Sequence, residues 1–211
     1  MTKEEQMFRH KDYRHLAEIR TLRDELKPDK MILEGKAVTF NDETILFEFD
    51  GEQYKEIIEK GAFEKCDLSK AFLKYNHSNN IMAMARTKNK SLQIDVKEDG
   101  VYIIADLANT TAGRDLYELV KRGDIDKMSF AFTIGEESYD KDTKTWTIRK
   151  VDTLYDVACV EMPAYENTSI FARRYEEVEA NRRAEVEALE LEKQRMIAQI
   201  RLKISPKRKQ S

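Results

Sequence analysis

The sequence predicts an α+β fold: a mainly β, barrel-like domain with surrounding helices, followed by a long C-terminal helix. Short segments in which apolar and polar residues alternate fill the middle of the chain, with turn residues between them, as is typical of strands. A highly charged segment with apolar residues at helical spacing follows. Many short strands with one or two helices favour a barrel-like α+β domain.

Composition limits the class of protein. The chain has 211 residues, of which 36% are charged. Globular proteins average about 25% charged residues, so part of the chain is expected to be solvated helix. The 37 Lys and Arg residues against 40 Asp and Glu residues give a net charge of −3. Such a balance has no basic footprint for nucleic acid, which is not expected as a partner.

Cysteine content and hydropathy predict the compartment. Two cysteines, Cys66 and Cys159, are too few to cross-link a domain of this size, which favours a reducing environment. Cys159 lies in an apolar segment and is expected to be a core residue. The N-terminal residues are polar, and no apolar stretch approaches the roughly 20 residues of a membrane span. We therefore expect a soluble, intracellular protein without a membrane partner.

The chain is predicted to have three segments: residues 1–30, 31–173 and 174–211. The first is charged and is predicted to form a helical lead segment that ends at Pro28. Its apolar residues at helical spacing are Leu16, Ile19, Leu22 and Leu26. This lead segment is interpreted as an arm, as a propeptide-like extension or as a plain solvated helix.

The third segment is predicted to be a charged helical tail that reaches about residue 204. Its thin apolar stripe consists of Val186, Leu189, Met196 and Ile200. Lys193 interrupts the stripe, so a coiled coil is only weakly supported. The basic end, residues 206–209, is interpreted as a solubilising tail or as a contact for an acidic partner or nucleic acid.

The middle segment carries most of the predicted strands. They cover residues 32–40, 71–75, 91–96, 101–107 and 127–134, a stretch around Trp146 and Ile148, and residues 154–160. Asp99-Gly100 separates two of these strands and predicts a β-hairpin. Residues 54–58 are predicted to form a short helical turn. Residues 112–122 are predicted to form a helix that Gly123 ends.

Ser129 is a candidate nucleophile. It lies in a strand whose two faces differ in size. The large face carries Met128, Phe130, Phe132 and Ile134, and the small face carries Ser129, Ala131 and Thr133. The large face is predicted to be core, whereas the small face allows a substrate chain to approach closely. A tolerated, half-buried hydroxyl is the alternative interpretation of this serine.

His77 is the candidate general base, since it follows a strand-like segment and precedes a polar loop. An imidazole there can take the serine proton and return it to the leaving amine. Asp156 is the preferred third member, because it is the only charge in a buried segment, and Glu161 is the second choice. The structural alternative for Asp156 is a salt bridge to a neighbouring strand, for example to Arg149.

Backbone N–H groups for an oxyanion are predicted in one of two loops. Residues 110–113 lie at a helix N-terminus, and residues 163–165 follow the acidic strand. Arg114 is a possible assistant, or else it pairs with Glu118 on the helix surface. The sequence shows no metal-ligand motif and no glycine-rich phosphate loop, so neither a metal nor a cofactor is predicted.

These residues lie within an ordered set of short motifs that resembles the tailed-bacteriophage prohead (capsid maturation) serine protease family. The motifs span about residues 32–171: Glu34-Gly35-Lys36-Ala37, Glu59-Lys60-Gly61-Ala62-Phe63, Asn76-His77, Gly113-Arg114-Asp115, Gly123-Asp124-Ile125, Met128-Ser129-Phe130-Ala131-Phe132, Leu154-Tyr155-Asp156-Val157 and Pro163-Ala164-Tyr165. Each is a weak signal alone, and all of them in order make a strong one.

The resemblance implies a fold related to the herpesvirus assemblin proteases. It also implies that Ser129 is the nucleophile, that His77 is the base and that Asp156 takes the third position, where the family more usually has glutamate. Because aspartate is one methylene shorter, either the strands lie closer together or Glu161 takes part. The oxyanion loop is expected near Ala164 and Tyr165.

The family's function implies cleavage of the scaffold segment of the phage major capsid protein, and of the protease itself, inside the immature prohead in the host cytoplasm. The capsid protein and its scaffold segment are the implied partners, with the portal and a second copy of the chain as further candidates. The alternative from another class is a non-enzymatic capsid scaffold or assembly chaperone on the same fold, which would need neither Ser129 nor His77.

Overall fold

The structure, a computed structural model, describes residues 12–22, 30–161 and 169–204. Its strands are β1 (Asp12–Leu22), β2 (Ile32–Thr39), β3 (Thr44–Phe49), β4 (Glu52–Ile58), β5 (Phe72–Tyr75), β6 (Ala85–Arg86), β7 (Leu92–Val96), β8 (Gly100–Asp106), β9 (Lys127–Asp140) and β10 (Thr145–Val160). Its helices are α1 (Thr111–Arg122) and α2 (Ser169–Ile204). The chain forms two compact units, Met1–Phe171 and Ala172–Ser211.

The strands of the first unit form one curved sheet in the order β3-β4-β10-β9-β1-β2-β8-β7, and β5 with β6 branches from β10. This branch brings β6 close to β7 at the other end of the sheet, so the strands nearly form a closed ring. Arg86 N–H donates to Ser91 Oγ at 2.9 Å, and Ala108 N–H donates to the Met84 carbonyl at 2.9 Å. In the described part of the chain no strand ladder joins β6 to β7. The predicted α+β class is confirmed, and the barrel-like sheet stays open at this seam.

The hydrophobic core lies inside this curved sheet, with α1 packed against it. Its fully buried members include Leu33, Leu73, Leu92, Ile103, Leu116, Phe130, Phe132 and Leu154. The Phe130 and Phe132 rings stack with centroids 5.1 Å apart. Thr110 begins α1 by accepting a hydrogen bond from Gly113 N–H, and Gly123 ends it in the left-handed conformation, as predicted.

The prediction of a helix in the lead segment is wrong over Asp12–Leu22, which forms strand β1. β1 pairs antiparallel with β9 through Asp12–Glu18 and with β2 through Ile19–Leu22. The apolar spacing fits a helix locally, but β9 pairs with the first part of β1 and β2 with the last part, so ladder hydrogen bonds are available along most of the strand. Long-range pairing therefore outweighs the local pattern. Leu26 and Pro28 lie outside the described residues.

The prediction of a helical turn at residues 54–58 is also wrong, because these residues belong to strand β4. Tyr54, Glu56 and Ile58 are buried in alternation, which is the two-residue period of a strand. Asp50 and Gly51 have φ of 55° and 77° and form the tight turn between β3 and β4. β4 then pairs antiparallel with β3 and parallel with β10.

The second unit contains most of α2, which confirms the predicted long C-terminal helix. The Arg183 guanidinium contacts Glu179 one turn earlier at 2.5 Å. Val186, Leu189 and Met196 of the predicted stripe are exposed at 54%, 66% and 58%. No helix in the described part of the chain is long and apolar enough to span a membrane.

Candidate active site

Ser129 lies on the face of β9 opposite the hydrophobic core. Met128, Phe130 and Phe132 belong to the core cluster, whereas Ser129 and Ala131 are buried outside it. The predicted division of this strand into a core face and a small face is therefore correct. Ser129 pairs with Ala158 of β10, and Ala131 pairs with Asp156. Directly paired residues point to the same side of a sheet, so Asp156 lies on the serine face.

A β-bulge at Tyr155 places Asp156 on that face. Leu154 pairs with Phe132 on the core side, and the next pair along the ladder joins Asp156 to Ala131. β10 thus advances two residues while β9 advances one, and the extra residue reverses which face each later side chain occupies. Without the bulge, Asp156 would point into the core beside Leu154.

His77 reaches the same face from the end of β5. This strand pairs parallel with β10 up to Tyr75 and Cys159. Asn76 and His77 then have φ of 47° and 53°, two successive left-handed residues that turn the chain sharply. Asn76 N–H donates to the Cys159 carbonyl at 3.0 Å, and Asn76 Oδ1 accepts from Glu161 N–H at 3.2 Å. These bonds hold the turn against the end of β10.

The three side chains form a continuous hydrogen-bonded chain. His77 Nε2 lies 2.7 Å from Ser129 Oγ, and His77 Nδ1 lies 2.5 Å from Asp156 Oδ1. An ionised carboxylate can only accept, so the proton of the neutral ring is on Nδ1 and Nε2 accepts from the serine hydroxyl. This arrangement can remove the serine proton and stabilise the imidazolium that forms.

The site lies below the molecular surface. Ser129 is 0% exposed, and the His77 side chain is 12% exposed. The Ser129 hydroxyl is therefore not directly exposed to solvent.

Lys74, which was not predicted as a site residue from the sequence, is the one charged residue in the otherwise apolar and aromatic β5. Its ammonium lies 3.8 Å from Asp156 Oδ2 and donates to Asn79 Oδ1 at 2.9 Å. A single lysine in an otherwise apolar strand could have indicated a partner for the buried Asp156 carboxylate.

Glu161, the second choice for the third catalytic member, has a different hydrogen-bond partner. Glu161 accepts a hydrogen bond from the Tyr75 hydroxyl. The suggested ion pair between Asp156 and a neighbouring strand is present, but its partner is Lys74 of β5, whose Nζ lies 3.8 Å from Asp156 Oδ2. Arg149, the example given, is wrong, because its Nε lies 3.9 Å from Glu59 instead.

The oxyanion candidates Ala164 and Tyr165 lie outside the described residues. At the other candidate loop, Gly113 N–H already donates to Thr110 Oγ1 at 3.1 Å. Arg114 donates to Asn109 Oδ1 at 2.8 Å, whereas Glu118 pairs with Lys121, so the suggested Arg114–Glu118 pair is wrong.

Neither cysteine resembles an activated nucleophile. Burial raises the pKa of both the Cys66 and Cys159 thiols to about 12. Cys159 is a core residue, as predicted. The described residues contain no group of three or more His, Cys, Asp or Glu side chains arranged to hold a metal ion.

Comparison with known sequences identifies the family. The Caudovirus prohead serine protease family matches residues 17–181, which is well over half of the chain. The chain belongs to this family. It is a serine protease, and the prediction of family and enzyme class is confirmed, in preference to the non-enzymatic alternative.

Comparison with solved structures adds a distant neighbour of this protease. The bacteriophage T4 capsid assembly protease is 13% identical and has a TM-score of 0.42; the match covers 71% of this chain and 97% of that one. No curated protein matches the protease. The implied relation to assemblin stays a prediction.

Proposed function

We propose that this protease cleaves the scaffold segment of the phage major capsid protein during prohead maturation, with Ser129 as nucleophile, His77 as general base and Asp156 as the third member. The observation that carries the proposal is the hydrogen-bonded chain from Ser129 Oγ through both ring nitrogens of His77 to Asp156 Oδ1. Family membership supports the capsid role, because the family consists of prohead proteases.

The reaction proceeds by acyl transfer. As Ser129 Oγ attacks the scissile carbonyl, His77 Nε2 takes the hydroxyl proton and Asp156 stabilises the imidazolium. His77 then gives this proton to the leaving amine, which releases the first product and leaves an acyl ester on Ser129. A water molecule then attacks the ester carbonyl while His77 takes its proton, and His77 returns this proton to Ser129 Oγ as the ester bond breaks and the second product leaves. The backbone N–H groups near Ala164 and Tyr165 are the proposed oxyanion donors, because the resemblance to the assemblin proteases implies an oxyanion loop after the acidic strand.

The proposed place of action is the immature prohead in the bacterial host. The capsid protein and its scaffold segment are the proposed substrates, and the protease itself is a further substrate. The portal and a second copy of the protease are proposed as further partners.

The test is co-expression of the full-length protease with the major capsid protein of the same phage. With Ser129→Ala, we expect shells that assemble but retain the uncleaved N-terminal segment of the capsid protein. Ser138→Ala is the matched control, since it makes the same change on β9 nine residues away. Mass spectrometry of purified shells distinguishes the two forms. Continued processing by Ser129→Ala would contradict the proposed nucleophile.

Self-cleavage is tested separately with the purified full chain. Intact-mass measurements over time should show new fragments for the unmodified protein and for Ser138→Ala, and none for Ser129→Ala or His77→Ala. Equal fragmentation in all four proteins would point to a contaminating protease and refute self-processing.

A further inference from the structure

Lys74 lies in the same row of the sheet as the proposed nucleophile. Across the three adjacent strands β5, β10 and β9, Lys74 pairs with Ala158, which pairs with Ser129. Paired residues share a face, so all three lie on the side that carries Asp156. The Lys74 side chain is only 16% exposed, and the small Ala158 is fully buried between the two polar residues.

The two oxygens of Asp156 have different partners. Oδ1 contacts His77 Nδ1 at 2.5 Å, and Oδ2 faces the Lys74 ammonium at 3.8 Å. The same ammonium donates to Asn79 Oδ1 at 2.9 Å, and Asn79 lies two residues after His77. Lys74 thus contacts both the carboxylate and the loop that carries the imidazole.

We propose that Lys74 is a positioning residue of the protease, which orients Asp156, holds the His77 loop and limits how readily the imidazole becomes protonated. This inference rests on the proposed roles of Ser129, His77 and Asp156. The ammonium near Oδ2 favours the orientation of the carboxylate in which Oδ1 is directed at the ring. The bond to Asn79 fixes the loop in which His77 adopts its left-handed conformation.

The electrostatic consequence follows from the sign of each charge. Asp156 stabilises the imidazolium, and the Lys74 cation opposes it. The other charged or titratable groups described around this face are Tyr75 and Glu161, which are bonded to each other, Lys127 of β9 and Arg86 of β6. Lys127 contacts Asp126 at 3.5 Å, the Arg86 guanidinium lies over the Phe72 ring at 4.6 Å, and Cys159 lies on the core face. Loss of the Lys74 charge therefore makes the ring easier to protonate, so that the base is inactivated at a higher pH.

The experiment measures phosphonylation of Ser129 by a fluorophosphonate probe, as a second-order rate constant across pH. For Lys74→Met we expect the acidic limb of this profile to move to higher pH by about half a unit to one unit. We also expect a lower second-order rate constant on the plateau above this limb. Lys74→Arg should restore the limb because it keeps the charge. Lys70→Met is the matched control: it removes the same charge four residues away, at a side chain that is 70% exposed. Superimposable limbs for Lys74→Met and the unmodified protein would overturn the proposal.

Asn79→Ala separates the two parts of the proposal, because it removes the loop contact and keeps the charge. We expect a lower plateau with an unshifted acidic limb, and an unchanged plateau would refute the loop contact. An NMR titration of the His77 ring in the unmodified protein, Lys74→Met and Lys74→Arg tests the charge effect without catalysis. Failure of the probe to label the unmodified protein at Ser129 would contradict the proposed function, whereas identical His77 titrations would contradict the role of Lys74 alone.

Discussion

Leu154 and Asp156 are two residues apart on β10, yet their side chains lie on opposite faces of the sheet. Leu154 belongs to the core cluster, and Asp156 contacts His77 on the other side. The bulge at Tyr155 produces this reversal, since regular alternation places residues i and i+2 on one face. The position of the Asp156 carboxylate therefore depends on one extra residue in the strand. The role of this carboxylate can be tested by a substitution that changes it and little else.

Asp156→Asn should lower kcat strongly while it changes KM little. The amide keeps the shape of the side chain but neither stabilises the imidazolium nor favours the tautomer in which Nδ1 carries the proton. A loss of about 10²- to 10⁴-fold is expected, measured by cleavage of the capsid protein or by labelling of Ser129. Asp152→Asn is the control, since Asp152 lies on the same strand and pairs with Lys150 at 2.8 Å. Equal effects of the two changes would argue against a special role for Asp156.

From the sequence alone we could predict His77, Ser129 and Asp156 as site residues, because each is a polar residue in or beside an otherwise apolar strand. The structure brings these three side chains into contact. It also shows why Lys74 was missed: its partner is on β10, and the parallel pairing of β5 with β10 is not encoded in either segment alone. β1 was mistaken for a helix for a similar reason, because its partners β9 and β2 are distant in sequence.

Substitutions at Asn76 should affect stability through the backbone. Asn76 has φ of 47°, and its side chain accepts a hydrogen bond from Glu161 N–H. Asn76→Val places a β-branched residue in the left-handed region, so we expect the free energy of unfolding to fall by about 1–3 kcal/mol. Asn76→Gly loses the same hydrogen bond but tolerates the conformation, so it should be less destabilised in urea unfolding. If Asn76→Gly were the less stable of the two variants, backbone strain would not be the cause.

Enlarging Ala131 should remove activity by occupying the space over the sheet where the imidazole lies. Ala131 is 0% exposed and pairs with Asp156, next to Ser129. Ala131→Leu is expected to abolish labelling of Ser129, with an overpacking cost of about 1–3 kcal/mol in urea unfolding. Ala131→Ser adds one small atom and should retain labelling. A fully active Ala131→Leu would show that the imidazole does not need this space.

The stability of the protease should fall in acid partly through Asp99. Hydrogen bonds from Lys36 and, next, from Tyr102 lower the pKa of this carboxyl to about 2. In the unfolded chain the pKa of an aspartate is about 3.9. Because the folded value is the lower one, this contribution is complete above about pH 4 and is lost as the pH falls towards 2. Urea unfolding from pH 2 to 5 should therefore show a weaker pH dependence for Asp99→Asn. Asp42→Asn, in the exposed loop between β2 and β3, is the control for loss of a surface carboxyl.

Thiol reagents should not inactivate the folded protease. Burial raises the pKa of the Cys66 and Cys159 thiols to about 12, so almost no thiolate exists near neutral pH. Iodoacetamide at pH 8 should leave both residues unmodified in the native state and modify both in urea, as peptide mass mapping would show. Labelling of Ser129 by the fluorophosphonate should be unaffected by this treatment. Cys159 lies among the core residues, on the opposite face of the sheet from Ser129. Inactivation together with alkylation of Cys159 would contradict this prediction and would show that the core face of β10 opens readily.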